Sequence, residues 1–159
     1  MIGGGPRGRP ICIEVAIAGL LAGALTACAP QAPDHSSWRD QAHLSIEDVA
    51  SNVSTMSLLV QLVREDRMFG KYQQIVALNS ETNAGRTADH FSAEQPKPED
   101  DPIYSRVTTL LSDATDLLSE VRIALVRRDD QEYPRLAAEL SKMSDRLSKA
   151  ESEVMAVDP

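Results

Sequence analysis

Apolar side chains recur at alternating three- and four-residue intervals in three stretches of the chain, and this spacing restricts the possible fold classes more than any other feature. The three sets are Ala42, Ile46, Val49, Val53, Met56, Val60 and Val63; Ile103, Val107, Leu110, Ala114, Leu117, Val121 and Ala124; and Tyr133, Leu136, Leu140, Met143, Leu147, Ala150 and Val154. On a helix, this spacing places every member on one face, whereas a strand would need strict alternation. The pattern therefore predicts three helices that each bury one face.

A fourth helix is predicted between Lys71 and Phe91, with a less regular pattern. Its apolar stripe would consist of Tyr72, Ile75, Val76, Ala84, Ala88 and Phe91. The middle of this segment, from Asn79 to Gly85, is made of residues with poor helix propensity. We therefore expect the helix to kink or fray near Gly85, either as a polar surface stretch or as a place where polar groups serve a purpose.

The segments that connect these helices define the expected topology. The predicted helices cover about residues 37–64, 71–91, 103–127 and 131–155, and the proline-rich segment 92–102 is the one long loop because no helix can run through it. The other two connections are short, which favours antiparallel neighbours. The sequence thus predicts an all-α domain over residues 37–156, an up-down-up-down antiparallel four-helix bundle. It leaves open whether the first two helices are continuous across 65–70.

An apolar segment precedes this domain and ends in Leu25-Thr26-Ala27-Cys28. Arg7 and Arg9 lie before it, and the effective apolar core covers about residues 15–25. This combination resembles the lipobox of bacterial lipoprotein signal peptides. The resemblance implies that residues 1–27 are a cleaved signal peptide and that Cys28 receives a diacylglycerol and becomes the first mature residue.

Two other fates of this segment stay open. An ordinary signal peptidase could cleave after Ala29, since Ala27, Cys28 and Ala29 form a small-x-small site. The segment could also remain as an uncleaved anchor, although its apolar core is shorter than the ~20 residues that a membrane span needs. In the lipoprotein interpretation, residues 28–36 form a proline-rich tether. The domain is then held at the extracytoplasmic face of the cell membrane.

The whole chain resembles the small exported lipoproteins of unknown function that are common in high-GC Gram-positive bacteria. The lipobox, the Ala-, Arg- and Asp-rich composition and the helical body carry this resemblance, and only residues 1–33 contain a motif that can be named. Cys28 is accordingly the one functional residue carried over from it. Cys12 would leave with the signal peptide, so the exported domain would contain no disulfide.

The charge balance bears on possible partners. The chain has a formal net charge of −8, which argues against nucleic-acid binding because that needs a basic face. It also argues against a polybasic hold on lipid head groups, so the lipid itself would supply membrane attachment. Arginines gather at the two predicted hairpins, at Arg64, Arg67, Arg122, Arg127, Arg128 and Arg135, and neighbouring carboxylates would largely neutralise them.

No motif for catalysis or metal binding rises above chance. The three histidines, His35, His43 and His90, form no His-Glu-x-x-His pattern, and there is neither a Gly-x-Ser-x-Gly turn nor a phosphate-binding glycine loop. We therefore expect no catalytic residue, no metal site and no cofactor beyond the covalent diacylglycerol, and we expect a protein that is not an enzyme.

Two functional hypotheses follow. The first is a lipid-anchored binding or scaffold module that presents a face to another envelope protein. The alternative is a small-ligand or sensor domain in which Asn79, Thr82, Asn83 and Arg86 converge where the second helix is weakest; side chains that face solvent would remove its basis. Trp38, the lone tryptophan, is expected either to cap the end of the bundle or to lie at the lipid interface.

Overall fold

The computed structural model describes residues 35–156, with side chains from residue 37 onward. It contains four helices, α1 (His35–Arg64), α2 (Gly70–Ser92), α3 (Asp101–Arg127) and α4 (Tyr133–Ala156), and no strand in these residues. Each helix begins and ends within two residues of the predicted bounds. The signal peptide, the lipobox and most of the tether lie outside the described residues.

The helices form an antiparallel bundle with up-down-up-down connections. α1 packs along α2 and α4, α2 packs along α3, and α1 also contacts α3 across the core. The antiparallel arrangement is visible in single contacts, because His43 near the start of α1 lies 3.5 Å from Glu151 near the end of α4 (Nδ1 to Oε1). The predicted all-α fold class is confirmed. Within the described chain, no helix combines the length and the hydropathy needed to cross a bilayer.

The core consists largely of the predicted stripes. On α1 the buried row begins one turn earlier than predicted, at Trp38, and continues through Ala42, Ile46, Val49, Val53, Met56 and Val60. The rows on α3 and α4 are buried as expected from Val107 to Leu125 and from Tyr133 to Val154, with Leu111, Leu118 and Leu125 widening the α3 row. Burial of these rows removes apolar surface from water and stabilises the fold.

α2 joins the core differently from the prediction. The expected stripe is right for Ala84 and Phe91, which are buried, but wrong for Tyr72 and Ile75, which are exposed. The inward row is instead Gln73, Ala77, Ser80, Ala84 and Phe91. Gln73 and Ser80 are polar residues in core positions, and the middle of the inward row consists of small side chains. A Cβ atom at Gly85 would lie 3.6 Å from Thr115 Cγ2 of α3, at ordinary van der Waals distance.

Three aromatic rings close the end of the bundle at which α1 begins. Trp38 is 1 % exposed, and its ring lies 6.0 Å from that of Phe91. Phe91 in turn lies 5.6 Å from Tyr104, whose hydroxyl donates a 2.6 Å hydrogen bond to the Ser92 carbonyl. Trp38 is therefore a capping residue of the core.

The first two helices are separate. Asp66 follows α1 with φ of 58°, and Arg67 N–H donates to Leu62 O at 2.9 Å, which closes the helix end in a Schellman motif. Arg128 takes the same left-handed conformation after α3, where Asp129 N–H donates to Ala124 O at 3.0 Å. The two short turns lie at the same end of the bundle, since a Cβ atom at Gly70 would lie 3.8 Å from Arg128 Nη2. We call this end the hairpin end.

Candidate functional site

The site residues carried over from the lipoprotein resemblance, Cys28 and the lipobox residues Leu25, Thr26 and Ala27, lie outside the described residues. The predicted lipidation therefore stays a prediction. What the structure does describe is the domain that this anchor would hold, together with its surface.

The polar side chains of α2 do not line one common pocket. Arg86 borders a cleft of about 180 Å³ beside Gln41 and His90, and Asn79, Thr82 and Asn83 are not among its lining residues. Asn79, Thr82, Asn83 and Arg86 are all exposed, and α2 continues as one helix from Gly70 to Ser92 without the expected interruption near Gly85. The inward positions of this stretch belong to Ser80 and Ala84, so the polar side chains face solvent. The small-ligand hypothesis thereby loses the observation on which it rested.

The hairpin end carries less free positive charge than its arginine count suggests. Arg67 Nη1 lies 2.9 Å from Glu65 Oε2, and Arg135 Nη2 lies 2.5 Å from Glu120 Oε1. The hydrogen bonds from Gln61 and Arg67 lower the pKa of Glu65, so this carboxylate stays charged. These exposed pairs contribute little stability, but they place carboxylates directly beside Arg67 and Arg135.

A half-buried ion pair joins α2 to α3 below this end. Arg122 donates from its Nε to Glu81, and the side chains are 29 % and 19 % exposed. The hydrogen bond to Glu81 raises the pKa of Arg122. The pair links the two helices and shows that the first half of α2 lies beside the last turns of α3.

Exposed apolar side chains gather on this shared surface. On and just before α2 the exposed fractions are 89 % for Phe69, 59 % for Tyr72, 55 % for Ile75 and 52 % for Leu78. The neighbouring last turns of α3 add Ile123 and Val126, which are also exposed. We call these six residues the α2–α3 patch.

The α2–α3 patch is the candidate functional site, because exposed apolar groups that cluster on one surface mark interaction sites in soluble domains. Scattered single residues, such as Leu44 and Leu58 on α1, need no such explanation. Sequence reasoning missed the patch because it assigned Tyr72 and Ile75 to the core. The available signal was the row from Gln73 through Ala77, Ser80 and Ala84, whose four-three-four spacing fits a buried helix face better.

Comparison of the chain with protein-family models, with curated proteins and with solved structures finds no match. Among residues 37–156, no three His, Cys, Asp or Glu side chains converge in a way that could hold a metal ion. The candidate function therefore rests on the surface of the bundle and on the sequence that precedes it.

Proposed function

We propose that the protein is a lipid-anchored binding module of the cell envelope, held at the extracytoplasmic face of the membrane through Cys28. The lipobox supports the anchor, and the α2–α3 patch is the observation that supports binding. The partner would be another envelope protein whose contact surface has an apolar centre.

The position of the patch fits such a role. The predicted tether precedes α1, so the anchor would attach to the domain at the end of the bundle where α1 begins. α1 has 30 residues and is therefore about 45 Å long. The hairpin end, with Phe69 and Tyr72, lies at the other end of α1, remote from the point of attachment.

The composition of the patch favours a protein partner. Aromatic residues are enriched at the energetic centres of protein interfaces, and Phe69 and Tyr72 supply two exposed rings. The surrounding charges are of both signs, as is typical of an interface rim. The acidic chain as a whole would stay soluble at the membrane surface.

The anchor is tested by the intact mass of the protein recovered from the membranes of a bacterial host. The expected mass is that of residues 28–159 plus a diacylglyceryl group. A chain that starts at Pro30, or one that retains Met1, would contradict the lipid anchor.

Binding is tested with a photo-crosslinking amino acid at Tyr72 or, as a control, at the exposed Ser141 of α4 in the anchored protein. We expect a discrete crosslinked protein from position 72 that disappears when Ile75→Glu is added. Leu44→Glu places the same charge on another exposed apolar residue, outside the patch, and should leave the crosslink intact. Equal crosslinking at both positions, or none at Tyr72, would refute binding through the patch.

A further inference from the structure

The seam between α3 and α4 is more open than the other seams between neighbouring helices. α3 packs less closely against α4 than α1 does against α2 or α4. A groove of about 510 Å³ lies in this seam, between the first turns of α3 and the last turns of α4. It is at the end of the bundle opposite the α2–α3 patch. Its volume is in the range of small-molecule sites.

The floor of the groove is apolar. Val107 and Leu110 of α3 and Val154 of α4 line it but are largely buried, whereas Ala150 and Ile103, at the end where α3 begins, are half-buried and expose more of their side chains. From Ile103 to Leu110 the floor follows two turns of α3, which is about 10 Å of helix axis. The groove therefore offers an elongated apolar surface to a ligand that lies along the helices.

The rim of the groove carries three cations. Arg106, Arg146 and Lys149 border it, whereas Glu153 is the one carboxylate among its lining residues. Arg146 also pairs with Asp113 outside the groove, at 2.7 Å between Nη2 and Oδ2, which leaves Arg106 and Lys149 as the two cations that share Glu153. Counting Asp113 and Glu153, the rim keeps an excess of one positive charge on a chain with a net charge of −8. The long stems of these side chains can lie along the apolar walls while their charged groups reach the solvent.

The rim already holds a carboxylate. Glu153 Oε2 lies 3.2 Å from Arg106 Nη1, and Glu153 Oε1 lies 3.9 Å from Lys149 Nζ. All three side chains are exposed, and such exposed ion pairs contribute little to stability, so a competing carboxylate can replace Glu153 at small cost. The site thus joins a carboxylate position to an elongated apolar floor.

We propose that the α3–α4 groove binds an alkyl carboxylate, a ligand of the fatty-acid class. Its carboxylate takes the position of Glu153 between Arg106 and Lys149, and its chain lies along Val107, Leu110, Ala150 and Val154. Guanidinium groups suit a carboxylate because their donors match its two oxygens. This inference depends on neither the lipid anchor nor the α2–α3 patch, so its failure would leave the proposed function untouched.

Dodecanoate is the probe, measured by isothermal titration calorimetry below its micelle concentration. The protein is residues 28–159 with Cys28→Ser, which needs no detergent and retains the whole compact unit Pro33–Pro159. We expect one bound dodecanoate per chain, with weaker binding of decanoate. Each methylene buried on the floor tightens binding by up to about fourfold. The uncharged glycerol ester of dodecanoate should bind less tightly than the acid.

The decisive variant should bind dodecanoate more tightly than the unaltered protein does. Glu153→Gln removes the competing carboxylate and should tighten dodecanoate binding about three- to fivefold, as expected for one charge at the rim. Glu139→Gln is the matched control, since Glu139 is an exposed α4 carboxylate that pairs with Lys142 outside the groove. A damaged fold would not raise the affinity for dodecanoate in Glu153→Gln while leaving it unchanged in Glu139→Gln.

A second variant fills the groove. Ala150→Trp places an indole on the floor and should abolish binding, whereas Ser141→Trp on the exposed surface of α4 should not. The proposal is overturned if dodecanoate does not bind at a single saturable site, if chain length has no effect, or if Glu153→Gln and Glu139→Gln behave alike. It is also overturned if the ligand-free protein sediments as a dimer that Ala150→Trp dissociates, which would assign the groove to a second copy of the chain.

Discussion

Arg128 offers a direct test of the backbone conformation at the hairpin end. It has φ of 55° and ψ of 42° immediately after α3, and its N–H donates to Leu125 O at 3.3 Å. Glycine is the usual residue at this position of a Schellman motif, because it adopts the left-handed conformation without steric cost. The Arg128 side chain is exposed. We therefore expect Arg128→Gly to stabilise the protein.

The magnitude follows from two opposing contributions. A residue with a Cβ atom pays about 1–2 kcal/mol in the left-handed conformation. Glycine loses more conformational freedom on folding, which costs about 0.5–1 kcal/mol. The free energy of unfolding should therefore rise by about 0.5–1 kcal/mol. At the upper end, a domain of this size would gain about 4 °C in Tm.

Urea denaturation followed by far-UV circular dichroism measures this change. Arg127→Gly is the matched control, since it removes the same charge from the adjacent residue in the last turn of α3. There, glycine should lower the free energy of unfolding by up to about 1 kcal/mol. Asp66→Gly should gain less than Arg128→Gly, because aspartate tolerates the left-handed region better than arginine. If Arg127→Gly and Arg128→Gly shift the midpoint in the same direction, charge rather than backbone conformation governs this turn.

Three further predictions concern the core, an ion pair and alkaline pH. Phe91→Ala should lower the free energy of unfolding by about 3–5 kcal/mol in urea titrations, whereas Phe69→Ala should change it by less than about 0.5 kcal/mol, because Phe69 is exposed. Glu81→Gln should cost about 1–2 kcal/mol by leaving half-buried Arg122 without its carboxylate, and adding Arg122→Gln should recover part of that loss in a double-mutant cycle. Burial, and then the carboxylates of the preceding turn, raise the pKa of Tyr133. Its contribution to stability is therefore intact below the ordinary tyrosine pKa of ~10 and is lost as the pH rises through the folded-state pKa. Tyr133→Phe should remove this part of the alkaline loss when denaturation midpoints are compared from about pH 8 to about pH 11, and parallel curves for the two proteins would contradict the assignment.

The buried face of a helix could be predicted where its inward positions are occupied by apolar residues. The rows that include Ile46, Leu118 and Leu147 consist mostly of apolar residues, and each is buried as predicted. On α2 the inward positions are not the most apolar ones. Gln73 and Ser80 face inward, while Tyr72, Ile75 and Leu78 face solvent. The inward row of α2 is made largely of small side chains, two of them apolar and one polar, and a search for large apolar residues does not detect such a row.

The two surface features could not be predicted for a related reason. The α2–α3 patch was not predicted because Tyr72 and Ile75 were assigned to the core. The α3–α4 groove depends on how far two helices diverge, which is set by the whole bundle rather than by either stripe. Glu153 illustrates the limit, because its i,i+4 spacing from Lys149 is visible in the sequence whereas its contact with Arg106 of α3 is not. The lipobox is the reverse case, a strong sequence motif that lies outside the described residues.

Trp38 gives the protein an internal optical reporter. It is the chain's single tryptophan, and its indole is buried against Phe91 where α1 begins. Its fluorescence should therefore be blue-shifted in the folded protein and should report on that end of the bundle alone. Emission and circular dichroism would change together in a concerted transition. Earlier change in the emission would reveal that the end next to the tether opens first, and the same signal could be followed on intact vesicles without any attached dye.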